Sequence, residues 1–376
     1  MTGKEKIIAA MSPGGTPAVA AVICYEDIYA RDHWDALTAC PWWYRFSPSV
    51  EQQLAWRRDV IERTEQDWFA LPACLSRTER AATAIEQRAD GVYRVRGGSE
   101  ERLARPLIGG WDPHGVSRQI SLDHLPETPA AVDAFIPAPG PFDDRRFAAE
   151  GRGDLAAAML AQFGGELYPV AHVSSPLWRC YSLWGFEGMM LLVAERPDLV
   201  RRACERLLTH GLRSVHEAAA LGAAGVWIEE CLTDMISPVA FEAINVPVLG
   251  WLIDEVRRCG MKSIYYYCGN PAGKWESILS LGADALSLEE SKKGFTIELA
   301  DVVGRVAGRC TVLGNLDAVG VLQNGSEQQL RDEIKRQIRV GKSNSNRFIM
   351  SLGSPVTPST PVDRVARYCR LVREWG

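Results

Sequence analysis

The sequence predicts an α/β protein of the (β/α)8 TIM-barrel class, carrying an N-terminal hairpin and loop insertion. Two observations lead there. From residue 167 to the end, one rhythm recurs: a charged helical stretch, a Gly-marked turn, a compact apolar run, then a polar or Gly/Pro loop. Strands alternating with helices imply a parallel sheet with right-handed crossovers, and five or six units at this spacing suit an eight-fold barrel better than an open sheet. In addition, none of the strands is followed by a dinucleotide or Walker-type glycine fingerprint, which leaves a doubly wound sheet as the second choice.

Taken in order, "PAVAAVICYED" (17–27) reads as the first barrel strand. "EQRADGVYRVRGGSEERLAR" (86–105) has a Gly turn followed by Tyr-x-Val alternation, which reads as a β-hairpin beside the barrel. Residues 106–150 hold seven prolines among polar residues and read as a long loop or insertion. The clear strands follow: "LYPVAHVSSP" (167–176), "AGVWIEECLTD" (224–234), "MKSIYYYC" (261–268), "ADALSLEE" (283–290), "CTVLGNLD" (310–317) and "RFIMSLGSP" (347–355). The closing "STPVDRVARYCRLVREWG" predicts a helix with Ser359 or Thr360 at the N-cap and Pro361 at its first position. All of this fits one domain over 1–376, with 1–150 as the N-terminal part and 151–376 as the main βα repeats.

Composition narrows the function classes. The apolar share of 47% is that of a globular protein with a large core. A net charge of −5 provides no general basic field for nucleic acid or an anionic membrane surface. No stretch reads as a signal peptide or membrane span, and the ten cysteines include no CxxC pair. Reduced thiols in a cytoplasmic protein are the expectation. A dense aromatic segment, "CPWWYRFSP" (40–48) with Trp34, Trp56 and Trp68, reads first as a plug packed on the barrel. A wall for a planar or methylammonium-like substrate, or a homodimer surface, would account for it too.

In a barrel of this kind the chemistry gathers at the carboxyl ends of the strands. Those ends carry Glu26 and Asp27; His172; Glu229, Glu230 and Cys231; Cys268 and Asn270; Glu289 and Glu290; Asn315 and Asp317; Ser351 and Ser354. The set is acid-rich, with two thiols and one imidazole. Two acids in one apolar pocket would raise one pKa and create a general acid, a role open to Glu289. Asn315 and Asp317 read more simply as residues that fix a turn through side-chain-to-backbone bonds.

The blocks "YYYCGNPAGKWESILSLGADALSLEE", "VLGNLDAVGVLQNG" and "FIMSLGSPVTPSTPVDRV" resemble the uroporphyrinogen decarboxylase superfamily, with "GNLD" (314–317) the most specific piece. The likeness extends to "GVWIEECLTDMISPVAF" and, more weakly, to "VSSPLWRCYSLWGFEGMMLLVAERPDLV", so it runs from about residue 165 to the end. It implies a single (β/α)8 barrel and one of two activities. One is cofactor-free decarboxylation of a porphyrinogen; the other is methyl transfer between a corrinoid (cobalamin-type) carrier and a thiol at a zinc site. Departures matter here. No Arg-Gln-Ala-Gly-Arg motif occurs in residues 1–60, and the decarboxylase histidine position is Ser354. Of the methyltransferase His-x-Cys pair only Cys268 remains, with Tyr266 in place of the His, and Ser354 replaces the later Cys.

Cys268 therefore has three readings: a small hydrophobe filling a strand end; a zinc ligand in a rebuilt site with Glu230 or Glu229, Cys231 and His172; or part of a metal-free site where tyrosines and acids move protons. The resemblance favours a corrinoid-linked methyltransferase acting on a small molecule, with a corrinoid protein as partner. Its expected catalytic residues are Glu230, Glu289 and Tyr266. His172, Asn270, Asn315 and Ser354 would bind substrate, while Cys268 and Glu230 would hold the metal. A decarboxylase of a porphyrinogen-like or other small carboxylate is the alternative, and a non-catalytic ligand-binding barrel the third reading.

Overall fold

The computed structural model describes residues 1–109, 125–291 and 294–376. Its ten strands are β1 (Trp68–Ala70), β2 (Thr83–Arg88), β3 (Gly91–Arg96), β4 (Ser99–Leu103), β5 (Tyr168–Ser174), β6 (Gly225–Glu230), β7 (Lys262–Tyr267), β8 (Ala285–Leu288), β9 (Thr311–Leu313) and β10 (Phe348–Ile349). Seven of them form a parallel sheet in the order β1-β5-β6-β7-β8-β9-β10. The runs are mostly apolar because both faces are covered, by the barrel interior on one side and by helices on the other, and polar residues such as Glu229 and Glu230 gather at the carboxyl ends.

The segment predicted as the first strand closes the curled sheet. Val22 N–H donates to the Met350 carbonyl and Met350 N–H to that of Ala20, both at 2.9 Å. On the other edge Asp67 N–H donates to the Ala21 carbonyl at 2.8 Å. The remaining donors there are met by side chains: Asp67 Oδ2 accepts from Ala21 N–H at 2.7 Å and Gln66 Oε1 from Ile23 N–H at 3.0 Å. Side chains stand in for ladder partners, so the segment forms only an isolated bridge, Ala21 to Met350. The predicted end of this strand is corrected too: Glu26 and Asp27 open a helix, Glu26–Asp32, directly after Tyr25.

The expected hairpin is a three-stranded antiparallel meander, β2-β3-β4, starting earlier than the sequence suggested. The predicted loop region holds two short helices, Pro129–Phe135 and Asp144–Ala149. Its part over 110–124 lies outside the described residues. β1 was missed because three residues are too few to show a period. Its Trp68 reads in the sequence as part of the aromatic cluster. Trp34, Trp56 and Trp68 are all buried, with the Trp34 and Trp56 rings 5.1 Å apart, so this part of the cluster is core.

The helices carry ordinary stop and start signals. Ser175 caps Pro176–Glu195 and donors at Ser326/Gln329 form a capping box for Glu327–Lys342. Pro197–Leu221 ends at Gly222 in the left-handed region. The final helix, Val362–Trp375, has Pro361 at its cap, one residue later than predicted. A π-helical turn, Phe241–Asn245, leads into the helix Val246–Arg258 and leaves Asn245 pointing at the end of β6. Among the described residues no helix is long and apolar enough to cross a membrane.

Candidate active site

Strand alternation sorts the strand-end residues. In register, His172 faces Trp227, Ser174 faces Glu229, Glu229 faces Tyr266, and Tyr266 faces Ser287. Residues paired this way share a face, and residues two apart stay on it. The barrel interior thus receives His172 and Trp227, then Ser174, Glu229, Tyr266 and Ser287. One step further toward the mouth come Cys231, Cys268 and Glu289. Ring contacts agree: Trp227 stacks on Tyr266 at 5.0 Å and on His172 at 6.1 Å.

Tyr25 completes this wall. It adopts φ 57°, an uncommon conformation for a bulky residue, so the surrounding packing must hold it there. Its ring meets Tyr266 edge-on at 5.7 Å and Trp227 at 6.4 Å. Its hydroxyl lies 3.7 Å from Cys231 Sγ, and Cys231 Sγ lies 3.9 Å from Glu229 Oε1. The Cys268 thiol is the neighbour of Cys231 on the next strand; that neighbour, then burial, push the Cys231 thiol well up. Burial, then Cys231, does the same to the Tyr25 phenol. Both cysteines are only 6% exposed. The result is two thiols and an acid on the mouth side of an aromatic floor, with the Cys231 thiol and the Tyr25 phenol held protonated by their neighbours and by the lack of water.

Glu230 points the other way. Its carboxylate accepts from Ser175 Oγ at 2.7 Å and from Asn245 Nδ2 at 2.7 Å, between the sheet and the helices. Burial raises its pKa to about 7, against the pull of those two donors. It pairs in register with Tyr267, whose ring meets Phe241 of the helix layer. The expected Cys268–Glu230 pair is therefore split across the two faces of the sheet, and Glu229 is the acid that shares the face of Cys268.

The other expected residues are engaged locally. Tyr266 donates its hydroxyl to the Gly353 carbonyl at 3.1 Å, and burial followed by Cys268 raises its pKa, so it stands as a neutral phenol. Ser354 donates to Glu290 Oε2 at 2.8 Å. Asn270 Oδ1 accepts from Ala272 N–H at 3.0 Å, an Asx turn that shapes the loop after β7. Asn315 donates to the carbonyls of Glu289 at 3.2 Å and Ile297 at 3.0 Å. Asp317 caps the turn Ala318–Gln323 through Val319 and Gly320 N–H, the structural role the sequence suggested. Glu289 is 1% exposed and on the inward row.

A cavity of about 280 Å³ adjoins the aromatic floor through His172. Its polar lining includes Glu26, Asp27, Arg57 and Glu217, with Trp56 as an apolar wall; Cys231 and Cys268 lie outside it. Burial, then the Asp27 charge, raises Glu26 to about 8, while the enclosing walls lower His172. Burial brings Arg57 down to about 10 against the pull of Asp27 and Glu26. Arg57 was not anticipated, because a single arginine in an amphipathic helix gives no signal of its own. Tyr25 and Trp227 could have been found from the two-residue spacing of Trp227, Glu229 and Cys231 and from the "CYED" strand end.

Comparison with known proteins gives a consistent setting. The family described as uroporphyrinogen decarboxylase (URO-D) matches residues 153–375. The chain is similar to uroporphyrinogen decarboxylase 2 of Arabidopsis thaliana, 24% identical over 50% of this chain and 46% of that protein. It also resembles the uroporphyrinogen decarboxylase of Synechococcus sp., 27% identical over 58% of this chain and 63% of that one. The chain thus spans about half the length of the curated relatives it matches. A methyltransferase from Methanosarcina mazei has the same fold over 100% of this chain and 98% of its own, with a TM-score of 0.63 at 17% identity.

Proposed function

The chain belongs to the uroporphyrinogen decarboxylase family, and from that premise we propose that it is a methyltransferase that moves a methyl group between a small substrate and a corrinoid. The observation that carries this reading is the pair of inward thiols, Cys231 and Cys268, on adjacent strand ends at the carboxyl face of the barrel. The likeness in fold to a methyltransferase over the whole chain supports it.

Two thiols and a carboxylate are a donor set that zinc accepts. Cys231, Cys268 and Glu229 would hold the ion, with Glu229 in the part expected of Glu230. Among the described residues they do not close to the mutual spacing of a metal cluster, so binding would draw them together. A bound cation supplies the charge that makes a thiolate at neutral pH and polarises a coordinated substrate thiol. The protein's own contribution is positional. Tyr25, Trp227 and Tyr266 exclude water around the thiols, and the Tyr266–Gly353 bond ties β7 to the loop after β10. Glu289 sits on the same row, where it can exchange a proton with a substrate group.

A decarboxylase of a small carboxylate is the second reading, favoured by Arg57 in the cavity beside Glu26. The guanidinium would hold a carboxylate of the substrate. When carbon dioxide leaves, Glu26, protonated at neutral pH by its raised pKa, would give its proton to the carbanion. The two readings separate in one experiment. Purified protein is offered methylcobalamin with a panel of small thiols, and in parallel uroporphyrinogen and simple carboxylates. Loss of the methylcobalamin spectrum supports methyl transfer; carbon dioxide release without it overturns methyl transfer in favour of decarboxylation.

A further inference from the structure

On the outer helical layer, away from the barrel mouth, three side chains of metal-binding type converge. His216 comes from the helix Pro197–Leu221, Glu255 from the helix Val246–Arg258, and Cys259 caps the latter's C-terminus. Glu255 and Cys259 are four residues apart and so stand on one face, one turn apart. His216 Nε2 lies 3.1 Å from Glu255 Oε1, and Cys259 Sγ lies 3.8 Å from His216 Nδ1. One ligand atom from each of the three lies within 4.8 Å of the other two, and among the described residues this is the only such group.

We propose that His216, Glu255 and Cys259 form a surface binding site for a divalent transition metal of the zinc type. A nitrogen, an oxygen and a sulfur donor match what zinc accepts; Glu255 and Cys259 approach different ring nitrogens of His216, so an ion would take one of them, with one donor atom of each residue within 4.8 Å of the others and a small ring rotation closing the shell. Bond lengths of ~2.0–2.3 Å to each donor put neighbouring ligands roughly 3–4 Å apart. The half-exposed His216 leaves room for a water as the fourth ligand.

The surroundings hold the donors in place. Arg258 donates to Glu255 Oε2 at 2.8 Å, so the other oxygen, Oε1, remains turned to His216. Such an outer partner orients a carboxylate ligand without competing for the coordinating atom. Phe142 stacks on the His216 ring at 6.2 Å with 13° between planes, which limits the ring's swing. Burial, then Glu255, raises the pKa of the Cys259 thiol, and a cation at the site reverses the second effect. Calcium and magnesium are disfavoured because the set includes a thiol and an imidazole and only one carboxylate. A bound ion would pin one helix of the barrel's outer layer to the next.

The test uses full-length protein stripped with chelator and titrated with cobalt(II), whose thiolate charge-transfer band reports sulfur ligation. To separate this site from the mouth, the titration is run in wild type, Cys268→Ala, Cys259→Ser and His216→Gln. The expected result is a surface cobalt equivalent at micromolar concentration, retained in Cys268→Ala and lost in both Cys259→Ser and His216→Gln, which keep only the equivalent held at the mouth. The metal-dependent rise in Tm should be retained in Cys268→Ala and shrink in the same two variants. Unchanged binding and band in Cys259→Ser and His216→Gln would overturn the proposal. So would binding lost entirely in Cys268→Ala, or no binding by the wild type.

Discussion

Glu230 shows how a single carboxylate can look catalytic in sequence and be architectural in space. It sits beside Glu229 at a strand end, yet one residue's shift along a strand turns the side chain to the opposite face. Its pKa of about 7 lies above the ordinary 4.5, so the folded state keeps its proton when the unfolded chain has lost it. The stability this gives is complete below pH ~4.5 and is lost as pH rises through 7. Glu230→Gln is neutral at every pH, and a half-turn of the Asn245 amide, whose Oδ1 has no partner, would accept its new N–H. The stability of the variant relative to wild type should therefore grow between pH ~4.5 and 7 and level off above; urea midpoints that run parallel across this range would contradict it. Glu230→Ala removes the acceptor for Ser175 and Asn245 and should cost about 1–3 kcal/mol in the same measurement. At the mouth, Cys231, Cys268, Glu289 and Tyr266 were visible as strand-end residues, while Tyr25 and Trp227 were not. The pairing of Glu229, rather than Glu230, with the thiols was not, because it depends on which face of β6 looks inward.

Loops at the strand ends are shaped by residues that the sequence offered as ligands. Asn315 and Ser354 each bond to a neighbouring loop and Asn270 closes a turn within its own, so the carboxyl face is a set of braced turns. Gly269, between Cys268 and Asn270, has φ 112°, and a Cβ there would lie 2.6 Å from Asp234 Oδ1. Gly269→Ala should destabilise by ~1–3 kcal/mol through backbone strain and overpacking, and should displace the Cys268 loop. Denaturant unfolding reads the first effect, and the reactivity of Cys268 toward a small alkylating agent reads the second. An unchanged midpoint and unchanged alkylation rate would show that the loop tolerates a side chain. Helices and the later strands were legible because their runs are long and periodic. β1 was not, with three residues, and the first barrel segment was legible as a strand although side chains of Gln66 and Asp67 replace part of its ladder.

Over the whole molecule, closure of the barrel rests on contacts between the chain's two ends and its middle. Asp67 accepts from Ala21 N–H, and its other oxygen lies 3.3 Å from an Arg373 nitrogen of the last helix. Asp67→Ala should cost about 1.5–3 kcal/mol, the range for a bond to a charged group, measured as a fall in the urea midpoint. A variant as stable as wild type would place barrel closure elsewhere. The barrel class was legible from the alternation of strands and helices alone; the activity was not, because the family's histidine and second cysteine positions hold Tyr266 and Ser354. In the proposed methyltransferase, Cys231 and Cys268 together form the reacting centre. The most direct test of that role is the rate of methylcobalamin demethylation by a small thiol, compared among wild type, Cys231→Ala, Cys268→Ala and Glu230→Gln. Wild type should turn over, each cysteine variant should lose ~10²-fold or more, and Glu230→Gln should keep near wild-type rates. Equal rates in wild type and Cys268→Ala, or no turnover with any thiol, would contradict that role.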